Sequence, residues 1–230
     1  ILEMDLFKSI DGEIFVFHTG MEPAQLDRHI KVESMTSEEI RRLRLCNVDL
    51  TETFLPLNTF EEVLEHLKNK CILNLDRSIK ILDDVMKIVN KHNMADQVLL
   101  KSDPSDASLK MVETFAPKVD YMPIFMEEDV ASEKIENMNI NYIGAELVFK
   151  SESSSIAQDS YIDMMHKKGR ILWGNSIVYS SRVPLAAGHN DDISLTGDPE
   201  DGWGWLAKKG FDIIQTDWTH HCVNYLRNRY

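Results

Sequence analysis

Cysteine is scarce and unpatterned in this chain: Cys46, Cys71 and Cys222 are the only three, with no Cys-x-x-Cys spacing. An odd count without that spacing argues against a disulfide framework or a zinc site and leaves reduced, partly buried thiols. Long apolar runs are missing as well. No stretch approaches the roughly 20 apolar residues that span a bilayer, so stable membrane insertion is not expected. No targeting segment is visible, and the compartment stays open, leaning cytoplasmic. Basic residues are outnumbered, 25 against 38 acidic ones, for a formal charge of −13. Nucleic acid or an anionic membrane surface would need a basic face, so neither is expected as the main partner. There is no opening methionine, no internal repeat, no low-complexity tract and no interdomain linker. What is present is 230 residues with 43% apolar content, enough for one substantial core, and residues 1–230 read as a single domain. Oligomeric state is not readable.

The informative stretch is the first eighteen residues. Ile1 to Leu6 alternates apolar and acidic side chains, so a strand there places Glu3 and Asp5 on one face and Leu2, Met4 and Leu6 on the other. Two carboxylates sharing a small space raise each other's pKa and resist burial, which makes a divalent cation a physical reason for both to point inward. Asp11-Gly12 is a hairpin-turn signal, and Glu13 to His18 returns as an antiparallel strand that brings His18 back towards the carboxylates. Spacing alone fits an exposed hairpin with solvated carboxylates and a packed histidine equally well.

The remainder alternates between two periods. A turn-rich segment follows His18, then a short helix over Ser37–Leu45 with Thr36 or Ser37 as N-cap, and a helix over Thr59–Lys68 whose Phe60, Val63, Leu64 and Leu67 share a face. Strands are expected at 71–76, 97–101, 121–125, 142–149, 171–175 and 213–217. Helices are expected at 79–92, 107–115, 132–137, 153–168, 201–209 and 220–227. Repeated βα units imply a parallel sheet, either doubly wound or closed into a barrel. In a barrel the site lies at the C-terminal strand ends, where Glu3, Asp5, Asp76, Lys101, Glu146, Trp173 with Asn175, and Asp217 collect. The polar loop Ala187–Asp192 reads as solvated, and the adjacent His220 and His221 face different sides of a helix.

The pattern Leu2-Glu3-Met4-Asp5, Lys8-Ser9-Ile10-Asp11-Gly12, Val16-Phe17-His18, with the histidine thirteen positions after the aspartate, resembles the core signature of the glycerophosphodiester phosphodiesterases. The resemblance is specific over these residues and generic after Asp76. It implies a (β/α)8 TIM barrel with an antiparallel hairpin and a small insertion, about residues 19–58, after the second barrel strand. The family's first strand, ending in His-Arg-Gly, and its Glu-Asn-Thr helix start do not occur in this sequence, so a segment of roughly forty residues is expected upstream of Ile1. The implied activity is metal-dependent hydrolysis of a glycerophosphodiester to glycerol 3-phosphate and an alcohol. Glu3, Asp5 and Asp76 would bind Mg²⁺ or Ca²⁺, which suit oxygen ligands, and His18 would be one of two histidines acting as general acid and base. Lys101, Glu146 and Trp173 would contact the small-molecule substrate. Three departures from the family pattern stand out: Thr19 where an aspartate follows the histidine, Asp76 where a glutamate is usual, and Ser78 where a lysine is usual. Lys101 would replace that lysine's charge from the next strand. The alternatives are a related barrel phospholipase of the sphingomyelinase D or phosphoinositide phospholipase C type, with Met21–Leu26 as its lipid-facing segment, or a barrel that binds a phosphoester without turnover.

Overall fold

The computed structural model describes residues 1–178 and 182–229. The chain divides into two compact units, Ile1–Asp120 with Asn139–Asn141, and Tyr121–Met138 with Tyr142–Tyr230. Both are mostly parallel α/β structures.

In the first unit the strand order is β2-β1-β3-β4, with β1 at Leu2–Lys8, β2 at Ile14–Val16, β3 at Leu73–Asp76 and β4 at Val98–Ser102. The β1–β2 pair is antiparallel, with Leu6 opposite Val16 and Lys8 opposite Ile14. Gly12 at φ +97° makes the turn, a conformation in which glycine avoids the Cβ clash. β3 and β4 follow in parallel, buried on both faces as their apolar runs require. Between β2 and β3 come α1 (Glu22–Gln25), α2 (Ser37–Arg41) and α3 (Phe60–Leu67). Thr36 and Thr59 start α2 and α3 with full capping boxes to Glu39 and Glu62. The insertion packs against the hairpin through Phe7, Phe15, Phe17, Leu26, Val32, Ile40, Leu43 and Leu57, a core of its own beside the sheet. α4 (Leu82–Lys91) and α5 (Asp106–Phe115) complete the unit.

The second unit is all parallel, β5-β6-β7-β8, with β5 at Asp120–Met126, β6 at Gly144–Val148, β7 at Ile171–Asn175 and β8 at Ile213–Gln215. Its helices are α6 (Ser132–Glu136), α7 (Asp159–Lys167), α8 (Asp191–Thr196), α9 (Trp203–Lys209) and α10 (Thr219–Arg229).

Several sequence expectations change. The helix expected over Ser37–Leu45 stops at Arg41, the one over 153–168 begins only at Asp159, and the turn-rich segment after His18 contains α1. The polar loop at 187–192 is only partly solvated: Asn190 caps α8, and Asp191 is 2% exposed while Asp192 stays in solvent. Leu26, expected at a lipid-facing rim, is buried in the insertion core. No helix among the described residues is long and apolar enough to cross a membrane.

Candidate active site

Strand register gathers the acidic residues. Glu3 lies opposite Asn74 and Asp5 opposite Asp76 across the parallel β1–β3 pair, so all four side chains project from one face, with Asp5 and Asp76 where the parallel pairing ends. A carboxylate oxygen from each of Glu3, Asp5 and Asp76 falls within 4.8 Å of the others. Each of the three is partly buried. Burial pushes the Asp5 carboxyl above its ordinary range, and Asp76 adds to the rise while Arg77 draws it down. Three half-buried carboxylates make a hard-oxygen donor set, the kind that holds Mg²⁺ or Ca²⁺.

His18 arrives at this cluster through the backbone: the Phe17 amide donates to the Asp5 carbonyl at 3.0 Å, just past the end of β2. A second basic group is already there. Arg77 follows Asp76 with φ +53°, and its amide donates to Asp76 Oδ1 at 2.6 Å. That left-handed turn costs about 1 kcal/mol for a residue with a Cβ. It folds the side chain back over the site. Arg77 Nε lies 3.1 Å from Asp5 Oδ1, Nη2 lies 2.8 Å from His18 Nε2, and Nη1 lies 3.4 Å from Thr19 Oγ1. A guanidinium only donates, so Nε2 is the accepting nitrogen and the ring proton is on Nδ1. His18 Nδ1 is buried without a partner among the described residues, as are both polar atoms of the Asn74 carboxamide.

The sequence reading gave Arg77 no role and looked for the missing cation at Lys101. Lys101 is in β4 and 3% exposed, so it is not a solvated lysine. Arg77 was legible only as a charge next to Asp76; its direction depends on a backbone conformation that local sequence does not announce. A cavity of about 390 Å³ adjoins Arg77 and is lined also by Lys8, Thr19, Glu33, Ile79 and Lys80.

Glu146 and Trp173 occupy the second unit. They are register partners on β6 and β7, and Asn175 and Gln215 share their face. Asn175 Nδ2 donates to Glu146 Oε1, and Trp173 Nε1 donates to Gln215 Oε1 at 3.1 Å. Trp173 is 2% exposed, so its indole is packed into this polar layer. Asp217, expected as a cap or site residue, donates its amide to Asp191 Oδ2, and burial followed by the Asp191 charge pushes its carboxyl up. His189 stacks on Trp205 at 3.8 Å and bonds the Asp201 carbonyl through Nδ1. Among the described residues one other group has metal-ligand spacing, Glu61, Glu65 and His92. There the Glu61 carboxylate already pairs with Lys91 and His92.

A family model for a domain of unknown function, DUF4996, matches residues 121–226. No curated protein matches the chain by sequence. Solved structures do. A glycerophosphoryl diester phosphodiesterase from Parabacteroides distasonis superposes with a TM-score of 0.76 at 18% identity, covering 98% of this chain and 75% of that one. A putative glycerophosphodiester phosphodiesterase from Galdieria sulphuraria gives 0.70 at 16% identity, covering 98% and 85%. A phosphodiesterase from Oleispira antarctica, in complex with the product sn-glycerol-3-phosphate, gives 0.65 at 14% identity, covering 98% and 84%. At these identities the likeness is one of fold: this chain has the α/β fold of the glycerophosphodiester phosphodiesterases.

Proposed function

We propose that the protein is a metal-dependent glycerophosphodiester phosphodiesterase built on a closed (β/α)8 barrel. The observation that carries this is the convergence of Glu3, Asp5, Asp76 and His18 at one strand end. Glu3, Asp5 and Asp76 hold the cation, which neutralises charge developing on the phosphoryl oxygens when bound. His18 Nε2 is the proton-transfer atom, taking a proton from the attacking hydroxyl or giving one to the departing alkoxide. One water is consumed, the phosphorus–oxygen bond to the alcohol breaks, and glycerol 3-phosphate and the alcohol leave. His18 needs a second proton-transfer group. The family's His-Arg-Gly element, which would supply it, does not occur between Ile1 and Tyr230. Lys101, Glu146 and Trp173 serve on this reading as substrate-side residues, with Glu146 and Trp173 held in place by Asn175 and Gln215.

The test is glycerol 3-phosphate release from glycerophosphocholine by the full-length protein with Mg²⁺, Ca²⁺ or chelator. Release should require the cation and fall at least about a hundredfold in His18→Ala. Absence of release with either metal would reject hydrolysis of this substrate. One observation favours a second reading, lipid cleavage: Val48, Leu50, Phe54 and Leu55 of the insertion are exposed together in one short excursion. Turnover confined to phospholipid vesicles would move that reading ahead.

A further inference from the structure

We infer that Arg77 is a substrate-binding residue that, before the cation and phosphodiester arrive, occupies their place by covering Asp5 and His18. The inference rests on the cation-dependent reading above and extends it to a residue outside the matched motif.

Three features meet in this side chain. Its Nε is on the Asp5 carboxylate at 3.1 Å, so a guanidinium charge stands where a divalent ion must approach. Its Nη2 donates to His18 Nε2 at 2.8 Å, which uses the lone pair that a general base requires. Its backbone is in the left-handed region at φ +53°, pinned by Asp76 Oδ1, so the strand end itself directs the side chain over the site. Two like charges cannot share Asp5 without cost, so cation binding at Glu3, Asp5 and Asp76 drives the guanidinium off Asp5. The side chain is 44% exposed and borders the cavity lined by Lys8, Thr19 and Lys80. It therefore has somewhere to go. A phosphodiester bound to the cation offers two anionic oxygens to the planar fork, a better match than one imidazole nitrogen. Taking up the phosphoryl group then frees His18 Nε2, so the base becomes available when there is a substrate to act on. This also accounts for the charge lost at Ser78, which is 1% exposed and spends its hydroxyl on the Leu75 carbonyl.

The opposing effects on two ligands are the signature. Mg²⁺ and Ca²⁺ binding to the full-length protein would be measured by calorimetry for wild type, Arg77→Ala and Arg77→Gly. The glycine variant adopts the left-handed turn without strain and so preserves the strand end. Both variants should bind the cation about three- to tenfold more tightly, the scale of a partly exposed ion pair removed from competition. With saturating cation, both should bind sn-glycerol 3-phosphate about tenfold or more weakly, the scale of a lost charge-assisted contact. Cation affinity that is unchanged or weaker in both variants would overturn the inference while leaving the metal site in place. Failure of all three proteins to bind either cation would overturn the metal-dependent reading and this inference with it.

Discussion

At the scale of single residues, carboxylates take opposite roles according to what surrounds them. Asp5 is pushed up by burial first and by the Asp76 charge, against the pull of His18 and Arg77. Asp191 is more deeply buried, at 2% exposed, yet fully engaged. It accepts from Ser176 Oγ at 2.7 Å, Trp203 Nε1 at 2.7 Å, Thr216 Oγ1 at 2.7 Å and the Asp217 amide at 3.0 Å. One carboxylate thus joins the end of β7, the start of α9 and the end of β8. Asp191→Ala leaves buried donors without an acceptor and should cost about 3–5 kcal/mol of stability in denaturant unfolding, the range seen when one partner of a buried charged network is removed. A loss under 1 kcal/mol would show that water replaces the carboxylate. The meeting of Glu3, Asp5 and His18 was legible because one short hairpin brings the two ends of an eighteen-residue stretch together. Asp191 was not, because its partners lie 12 to 26 positions away and a run of polar residues looks the same whether solvated or buried.

At the scale of elements, period-3.6 segments such as α3 were readable with their capping boxes, since threonine and the glutamate three residues on satisfy the first-turn amides locally. The short helical turns were not, because four or five residues carry no period. Beside the shared apolar core, Asp11 clamps the insertion to the hairpin: its carboxylate accepts from Ser9 Oγ, the Ser37 amide and Ser37 Oγ at 2.7–2.8 Å. These bonds, that to Ser9 foremost, bring its pKa down to about 2 from 3.8. A carboxyl lowered in the folded state binds its proton later than the unfolded chain does. Its contribution is therefore complete above pH 3.8 and is lost as pH falls through about 2. In acid titrations of thermal stability, Asp11→Asn should flatten that part of the profile relative to wild type. Parallel profiles for the two proteins would mean the clamp contributes nothing.

At the scale of the whole molecule, fold class was legible because alternating strand and helix patterns with short connections have few solutions. Among the described residues seven strands are parallel to their neighbours within the two units, and β2 returns antiparallel. Composition was equally direct about the thiols: Cys46, Cys71 and Cys222 are all free. Their surroundings differ. Cys222 is buried, and burial first and Asp191 second push its thiol up to about 11. Because the thiolate is the reactive form and burial blocks access, Cys222 should resist alkylation in the native protein at pH 8 and label after the more exposed Cys71. Mass spectrometry after a short iodoacetamide pulse would show the order, and early labelling of Cys222 would mean that α10 opens readily.

The excursion between Leu45 and Leu55 closes on itself through backbone bonds, Leu45 to Leu55 and Asn47 to Thr51, and leaves Val48 and Phe54 in solvent. Its start is anchored, with Leu45 against the insertion core and the Cys46 amide on the Gln25 carbonyl, while Asn47 to Phe54 lie outside that core. That tip is open real estate: a descendant of this sequence could rewrite its eight positions, and with them whatever the protein touches at that edge, while inheriting its fold and its three carboxylates intact.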